Sequence, residues 1–148
     1  KMTEVRIKKT NEEVITPSYE TLSSAGLDLR AYLPEGNIAL LPQKRELIST
    51  GLFFEIPEGF EVQIRPRSGL AYKHGVTVLN SPGTIDADYR GEIKILSINQ
   101  GNDVFNIEHQ MRIAQMVVAK YERIQFKLVE QLTDSKRGSG GFGSTGTK

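Results

Sequence analysis

The chain has 148 residues, a length that fits one domain with a real hydrophobic core. Charged residues make up 25% of it and the formal net charge is +1, so composition gives no general attraction to nucleic acid or membrane, and any anion site must be local. The absence of cysteine excludes disulfides and thiolate metal sites, and no apolar run approaches the roughly 18 residues of a membrane span. At the N-terminus we find no signal peptide, which favours a bacterial-like cytoplasm or another reducing compartment, and we interpret Lys1 as an expression remnant or a trimmed native end.

Apolar residues recur at every second position along most of the chain. The clearest runs are residues 27–32, 60–65 and 92–95. This alternation predicts half-buried antiparallel strands, and frequent turn signals between the runs are typical of an all-β barrel or sandwich. Two segments, 52–54 and 116–119, are apolar on both faces and predict central strands or strands buried in a subunit contact.

One short helix is predicted from Ser68 to Lys73, because Ser68 is a favoured N-cap residue and Gly75 is a favoured stop. A helix start attracts anions, and the fork-shaped donors of Arg67 suit phosphate oxygens. The pattern indicates an anion site of moderate specificity, since an ordinary surface cap would have the same residues.

Residues 80–91 form a long connection between two strand-like runs. A hairpin that only reverses the chain needs about two to five residues. This segment is longer and carries Asp86, Asp88, Tyr89 and Arg90. Either aspartate could act as a general base if neighbouring apolar residues shield it from water. The structural alternative is a turn that is rich in aspartate, which is common.

Several other polar residues have both a structural and a functional interpretation. Asp28 lies among the outward-facing polar positions of a strand. It is either an ordinary solvated residue or a carboxylate that binds a hard cation, directly or through a water molecule. Arg112 is expected to form a structural salt bridge, while Gln115 either binds an anion or satisfies backbone groups. His74 and His109 lack the spacing of a metal pair and are expected to be ordinary residues.

The segment 137–146 has glycine at half of its positions, a composition that by itself predicts a disordered tail or linker. Phe142, close to Arg137, favours a functional tail, because a pure linker needs no lone aromatic residue. We therefore expect a single β domain over residues 1–134 and a flexible arm over residues 135–148 that closes over an active site.

Five segments, in this order, resemble the five motifs of the trimeric dUTP diphosphatases (dUTPases). They are residues 25–31, 66–71, 83–91, 112–115 and 137–146. The resemblance implies a jelly-roll-like β fold and a homotrimer in which each active site takes residues from all three chains. It also implies hydrolysis of dUTP to dUMP and pyrophosphate, which would keep uracil out of DNA and supply dUMP for dTMP synthesis. No nucleic acid or membrane partner is implied.

The resemblance assigns roles to residues around the base, the sugar and the metal. Asp86 would hold and activate the water that attacks the α-phosphorus. Tyr89 would pack under the deoxyribose and leave no room for a 2′-hydroxyl, and Asn80 with backbone groups would read the uracil edge. Mg²⁺ would be chelated by the three phosphates, with Asp28 contacting its water shell.

It also assigns roles at the triphosphate and in the tail. Arg67, Ser68 and Gln115 would hold the triphosphate, Arg137 would meet the γ-phosphate and Phe142 would stack on uracil. The full set expected to bind substrate is Arg67, Ser68, Gly69, Asn80, Gly83, Thr84, Ile85, Tyr89, Lys94, Gln115, Arg137, Phe142, Gly143 and Ser144.

Two positions depart from the family pattern, and two other functions are compatible with the sequence. Gln110 stands where the family usually has glycine, which leaves the local turn undetermined, and Asp88 is a second acid beside Asp86. One rival is a dCTP deaminase-like enzyme on the same fold, which needs a proton-shuttling glutamate such as Glu92. The other is a nucleotide-binding module without turnover. The glycine-rich tail with Phe142 favours the dUTPase over the deaminase.

Overall fold

The computed structural model describes residues 2–148, so Lys1 and its interpretation lie outside the described residues. Ten strands and one helix are formed within this range. In chain order they are β1 (Arg6–Lys9), β2 (Leu27–Arg30), β3 (Ile38–Leu40), β4 (Arg45–Glu55), β5 (Phe60–Arg65), α1 (Ser68–His74), β6 (Val76–Val78), β7 (Gly83–Ile85), β8 (Glu92–Asn99), β9 (Phe105–Ile107) and β10 (Arg112–Lys120).

The strands form two four-stranded antiparallel sheets and a small third one. The first sheet has the order β1-β4-β8-β6, the second has the order β2-β10-β5-β7, and β3 pairs with β9. Residues 52–54 lie in β4 and residues 116–119 lie in β10, each an inner strand of its sheet. The predicted all-β fold with one short helix and the two predicted central strands are therefore confirmed.

The alternating pattern places apolar side chains of both sheets in one core. In β8, Ile93 and Ile95 are fully buried while Lys94 between them is exposed. Leu29 of β2 and Val62 of β5 are equally inaccessible and belong to the same buried cluster. Burying each such side chain stabilises the fold by about 1.5–3 kcal/mol. Polar residues that alternate with these apolar ones, such as Lys94, point away from the core.

The connection 80–91 differs from the predicted single hairpin. Strands β6 and β8 do pair in the first sheet, but the chain between them crosses to the second sheet and forms β7 there. Gly83 lies opposite Ile64, and Ile85 lies opposite Val62. The prediction was wrong in this respect because the extra length adds an edge strand to β5, which buries Gly83 and half-buries Ile85.

The helix is confirmed, with one correction at its start. Arg67 occupies the N-cap position in an extended conformation, no side chain caps the helix, and Ser68 is its first helical residue. The prediction that Ser68 is the N-cap was wrong because the Arg67 carbonyl already accepts the first helical bond, from the Ala71 N–H at 3.1 Å. Gly75 ends the helix in the left-handed conformation (φ 68°), as predicted. Nothing helical in residues 2–148 has the length and apolar character that a membrane crossing requires.

Candidate active site

Strand β10 brings the first, second and fourth motifs together. It lies between β2 and β5, so that Gln115 is opposite both Asp28 on β2 and Arg65 on β5. Residues opposite one another in a sheet point to the same face. Three segments that are distant in sequence therefore share one polar patch on the outer face of the second sheet.

Two arginines hold the Asp28 carboxylate in this patch. Oδ1 accepts a charge-assisted hydrogen bond from Arg67 Nε at 3.1 Å, and Oδ2 lies 3.5 Å from Arg112 Nη1. The Asp28 and Arg67 side chains are 20% and 29% exposed, so water screens this pair only in part. The predicted structural salt bridge of Arg112 is confirmed, and Asp28 is fixed rather than freely solvated.

Gln115 fixes the chain just before the helix. Its Nε2 donates to the Pro66 carbonyl at 3.0 Å, so in this structure it satisfies a backbone group. Ser68 and Gly69 follow Arg67 directly and are exposed. We call the group formed by Asp28, Arg67, Arg112 and Gln115 the Asp28 cluster.

The second group surrounds Asp86, which follows β7 and is exposed. It lines an open cavity of about 590 Å³ that also contains Asp88. The remaining lining residues are Ile56, Glu58, Glu61, Thr84, Ala87, Arg90, Tyr121 and Arg123. Ile85 and Ala87 pack against the core, so they anchor the loop on either side of Asp86.

Arg90 holds the loop that follows Asp86. The Tyr89 N–H donates to the Asp86 carbonyl at 3.1 Å and closes a turn. Arg90 Nη1 donates to the carbonyls of Ala87 at 2.6 Å and Tyr89 at 3.3 Å, while its Nε lies 3.9 Å from Glu55 Oε1. This role of Arg90 was not predictable from the sequence, because an arginine in a turn has no local pattern that distinguishes a loop anchor from a solvated charge.

Tyr89 and Glu92 are linked at the end of this loop. The Tyr89 hydroxyl donates to the Glu92 carbonyl at 2.9 Å. The Glu92 carboxylate accepts the Gly51 N–H at 3.0 Å, at an irregularity in the pairing of β4 with β8. Glu92 thus has a structural partner, and no contact of the described residues marks it as the proton shuttle of a deaminase.

Within one chain the two groups lie toward opposite ends of β5. In the register of β5 with β7, Val62 is opposite Ile85, so Asp86 comes next to Glu61, with which it shares a cavity. Arg67 instead follows the other end of β5. Arg67 is six positions after Glu61, and a strand rises about 3.3 Å per residue, so the two residues are up to about 20 Å apart.

The remaining predicted residues fall outside both groups or at their margins. Asn80 precedes β7 and Thr84 lies within it, and both are exposed. Lys94 lies in β8 of the first sheet, opposite Ser49, and points outward. Arg137 Nε donates to the Gly140 carbonyl at 2.7 Å. Phe142, Gly143 and Ser144 are also exposed, and the arm makes local turns. The structure places neither Lys94 nor the arm against the Asp28 cluster or the Asp86 cavity.

The described residues offer no ready-made metal cage. Nowhere in residues 2–148 do three histidine, cysteine, aspartate or glutamate side chains converge to hold an ion. The two histidines have other partners: His109 Nδ1 accepts the Leu33 N–H at 2.9 Å, and His74 packs on Phe105 with ring centroids 4.9 Å apart.

Comparison with known proteins identifies the family. The family model for dUTPase matches residues 12–146. A relative from Cytophaga hutchinsonii named deoxyuridine 5′-triphosphate nucleotidohydrolase is 58% identical over 140 residues, which are 95% of this chain and 89% of that protein. The chain belongs to the dUTPase family. The predicted family is thereby confirmed.

Solved dUTPase structures have the same fold. The dUTPase of Staphylococcus bacteriophage 80alpha, determined with dUPNHPP, matches with a TM-score of 0.86 at 26% identity, over 99% of this chain and 100% of that one. A mutant dUTPase from phage phi11 of S. aureus, whose structure reveals the coordination of a structural Mg(II) ion, matches with a TM-score of 0.75 over 86% of this chain and 97% of that one. At 21% identity the second likeness concerns the fold alone.

Proposed function

We propose that this protein hydrolyses dUTP to dUMP and pyrophosphate at active sites shared between the copies of a homotrimer. Membership of the dUTPase family supports the reaction, and the bacteriophage 80alpha dUTPase with bound dUPNHPP supports the substrate class. In a cell the reaction would keep uracil out of DNA and supply dUMP for dTMP synthesis. The compartment, a bacterial-like cytoplasm or another reducing one, stays a prediction.

The separation of Asp86 from the Asp28 cluster is the observation that supports an active site shared between copies. A general base must lie within hydrogen-bond reach of the water that it activates. Asp86 and Arg67 lie toward opposite ends of β5, up to about 20 Å apart by strand rise. This separation favours a site divided between copies, in which Asp86 of one copy faces the Asp28 cluster of another.

The segment that follows β10 supports the same assembly. Residues 121–129 form no helix or strand, and Ile124, Phe126 and Leu128 are 74%, 88% and 99% exposed. Alternating apolar residues are typical of a strand with one buried face. Leaving each one in water forgoes about 1.5–3 kcal/mol, so contact with a neighbouring copy would be favourable.

The chemistry is a displacement at the α-phosphorus. The Asp86 carboxylate takes a proton from a water molecule as the water oxygen forms its bond to that phosphorus. The bond from the α-phosphorus to the bridging oxygen breaks, and its electron pair leaves with pyrophosphate. Such reactions depend mainly on positioning and on neutralising charge. Arg67, Ser68 and Gln115 would hold the triphosphate with donors directed at its oxygens.

The base and sugar would be recognised by the β7 connection. Asn80 and the backbone of Gly83, Thr84 and Ile85 would line the uracil edge, with Tyr89 packed under the deoxyribose. Gly69 would add a backbone donor beside Ser68, and Lys94 would supply a further charge. The arm would close over the site, with Arg137 on the γ-phosphate, Phe142 on uracil, and Gly143 and Ser144 at the phosphates. A lid of this kind excludes water from the reaction.

The residues fit a magnesium ion that is held mainly by the substrate. Mg²⁺ is usually bound by one or two carboxylates together with substrate phosphates and water. Both oxygens of Asp28 already contact arginines, which suits contact with the water shell of the ion rather than direct ligation. The ion would neutralise phosphate charge as a Lewis acid.

Turnover of two nucleotides tests this proposal. We expect pyrophosphate from dUTP in the presence of Mg²⁺ and no ammonia from dCTP. The Asp86→Asn variant should lose about 10²–10⁴-fold in turnover, because its amide cannot take a proton. Its affinity for a non-hydrolysable dUTP analogue should change little. Ammonia release would instead support a deaminase, and binding without turnover by the unmodified protein would support a binding module. Full activity of Asp86→Asn would show that another group is the base.

A further inference from the structure

We propose that Gly91 determines sugar specificity, because its missing side chain lets the Tyr89 ring lie where it separates deoxyribose from ribose. The inference rests on the proposed function, since it concerns the sugar of dUTP. Gly91 would act as a positioning residue, through the aromatic ring that it accommodates.

The Tyr89 ring lies directly against the backbone of residue 91. A Cβ atom placed on Gly91 would lie 2.6 Å from Cζ and 2.9 Å from Cε1 of the ring, and it would also collide with the phenol oxygen. Cβ atoms essentially never come within 3.0 Å of such atoms. The ring is rigid, and two adjacent ring atoms are involved together with the phenol oxygen, so the whole ring would have to move.

The requirement at Gly91 is for space and not for an unusual backbone conformation. Gly91 does not have a positive φ, whereas Gly75 has a φ of 68°. Alanine at position 91 would therefore be compatible with the local backbone. The neighbouring ring is what excludes a side chain there.

The ring is also fixed at its far end. The Tyr89 hydroxyl donates to the carbonyl of Glu92 at 2.9 Å, and the Glu92 carboxylate accepts the Gly51 N–H at 3.0 Å from β4. A side chain at Gly91 would break the first of these bonds. Steric rejection of a hydroxyl needs a wall that does not move, so a displaced ring would admit ribose.

The experiment compares kcat/KM for dUTP and UTP in the full-length protein. The variants are Gly91→Ala, Tyr89→Ala and the double variant. We expect Gly91→Ala to lower the ratio of dUTP to UTP by about ten-fold or more, a typical effect of reshaping a pocket. In the Tyr89→Ala background the same substitution should change the ratio by less than about two-fold, because the ring with which it collides is gone.

Each outcome decides the inference. An unchanged ratio in Gly91→Ala, an equal shift in both backgrounds, or equal use of UTP and dUTP by the unmodified protein would overturn it. If Gly91→Ala alone does not fold, a double variant that does fold establishes the collision between the two side chains. Tyr89→Phe, which loses the hydrogen bond to Glu92, then becomes the test, and it should lower the ratio of kcat/KM for dUTP to that for UTP. Failure of the double variant to fold, or an unchanged ratio in Tyr89→Phe, would overturn it. Absence of dUTP hydrolysis by the unmodified protein refutes the proposed function instead.

Discussion

Two inactive variants should restore activity when they assemble together. Asp86→Asn removes the proposed base, and Arg67→Ala removes a phosphate ligand that is also the 3.1 Å partner of Asp28. Each variant alone should be nearly inactive. If the site takes Asp86 from one copy and Arg67 from another, some sites in a mixed trimer contain both intact residues.

The expected recovery follows from the geometry. In trimers assembled at random from equal amounts of the two variants, the copy that supplies Asp86 is intact at that residue in about half of the sites. The copy that supplies Arg67 is independently intact in about half, so about a quarter of sites are complete. If both residues came from one chain, no site would be complete in any mixture.

The assay is the rate of pyrophosphate release by the co-expressed variants, with trimer composition checked by native mass spectrometry. The matched control pairs the wild-type chain with a chain carrying both substitutions. A site divided between copies then retains about a quarter of wild-type activity, whereas a site within one chain retains about half. Recovery no higher than that of the single variants, together with half activity in the control, would refute the shared site.

Two further predictions concern stability and the arm. Gln110 has a positive φ of 65°, which costs about 1–2 kcal/mol for a residue with a side chain, so Gln110→Gly should raise Tm by about 2–8 °C in thermal unfolding. Gln110→Ala keeps the strain, and an equal rise in that variant would contradict this explanation. Deleting residues 136–148 should leave Tm unchanged, because the arm makes local turns, and should reduce kcat/KM by about a hundred-fold or more. Loss of the folded state would show that the arm is structural.

The strand pattern was predictable because alternation reports burial directly. Ile93 and Ile95 are buried on either side of exposed Lys94, as their spacing predicted. The helix stop at Gly75 was predictable for a different reason, because glycine adopts the left-handed conformation at low cost. Both features depend on neighbouring residues only.

The features that the sequence did not predict depend on distant partners. Strand β7 has three residues, too few for a periodic pattern, and it exists because β5 offers an edge. Asp28 and Arg67 are 39 positions apart, and only the antiparallel order of β2, β10 and β5 makes them neighbours. The N-cap shifted from Ser68 to Arg67 because the backbone at Arg67 is extended, which residue preferences alone do not determine.

The exposure of Asp86 connects the chemistry to the assembly. A carboxylate in water gains little as a base, and the apolar neighbours of Asp86, Ile85 and Ala87, pack against the core rather than over the carboxylate. We therefore expect the shielding to come from groups outside the β7 loop, which in the proposed assembly are the substrate, the arm and the Asp28 cluster of a neighbouring copy. If the proposed shared site is correct, the isolated chain holds Asp86 in position but leaves it in water, and a neighbouring copy supplies the environment that a general base needs.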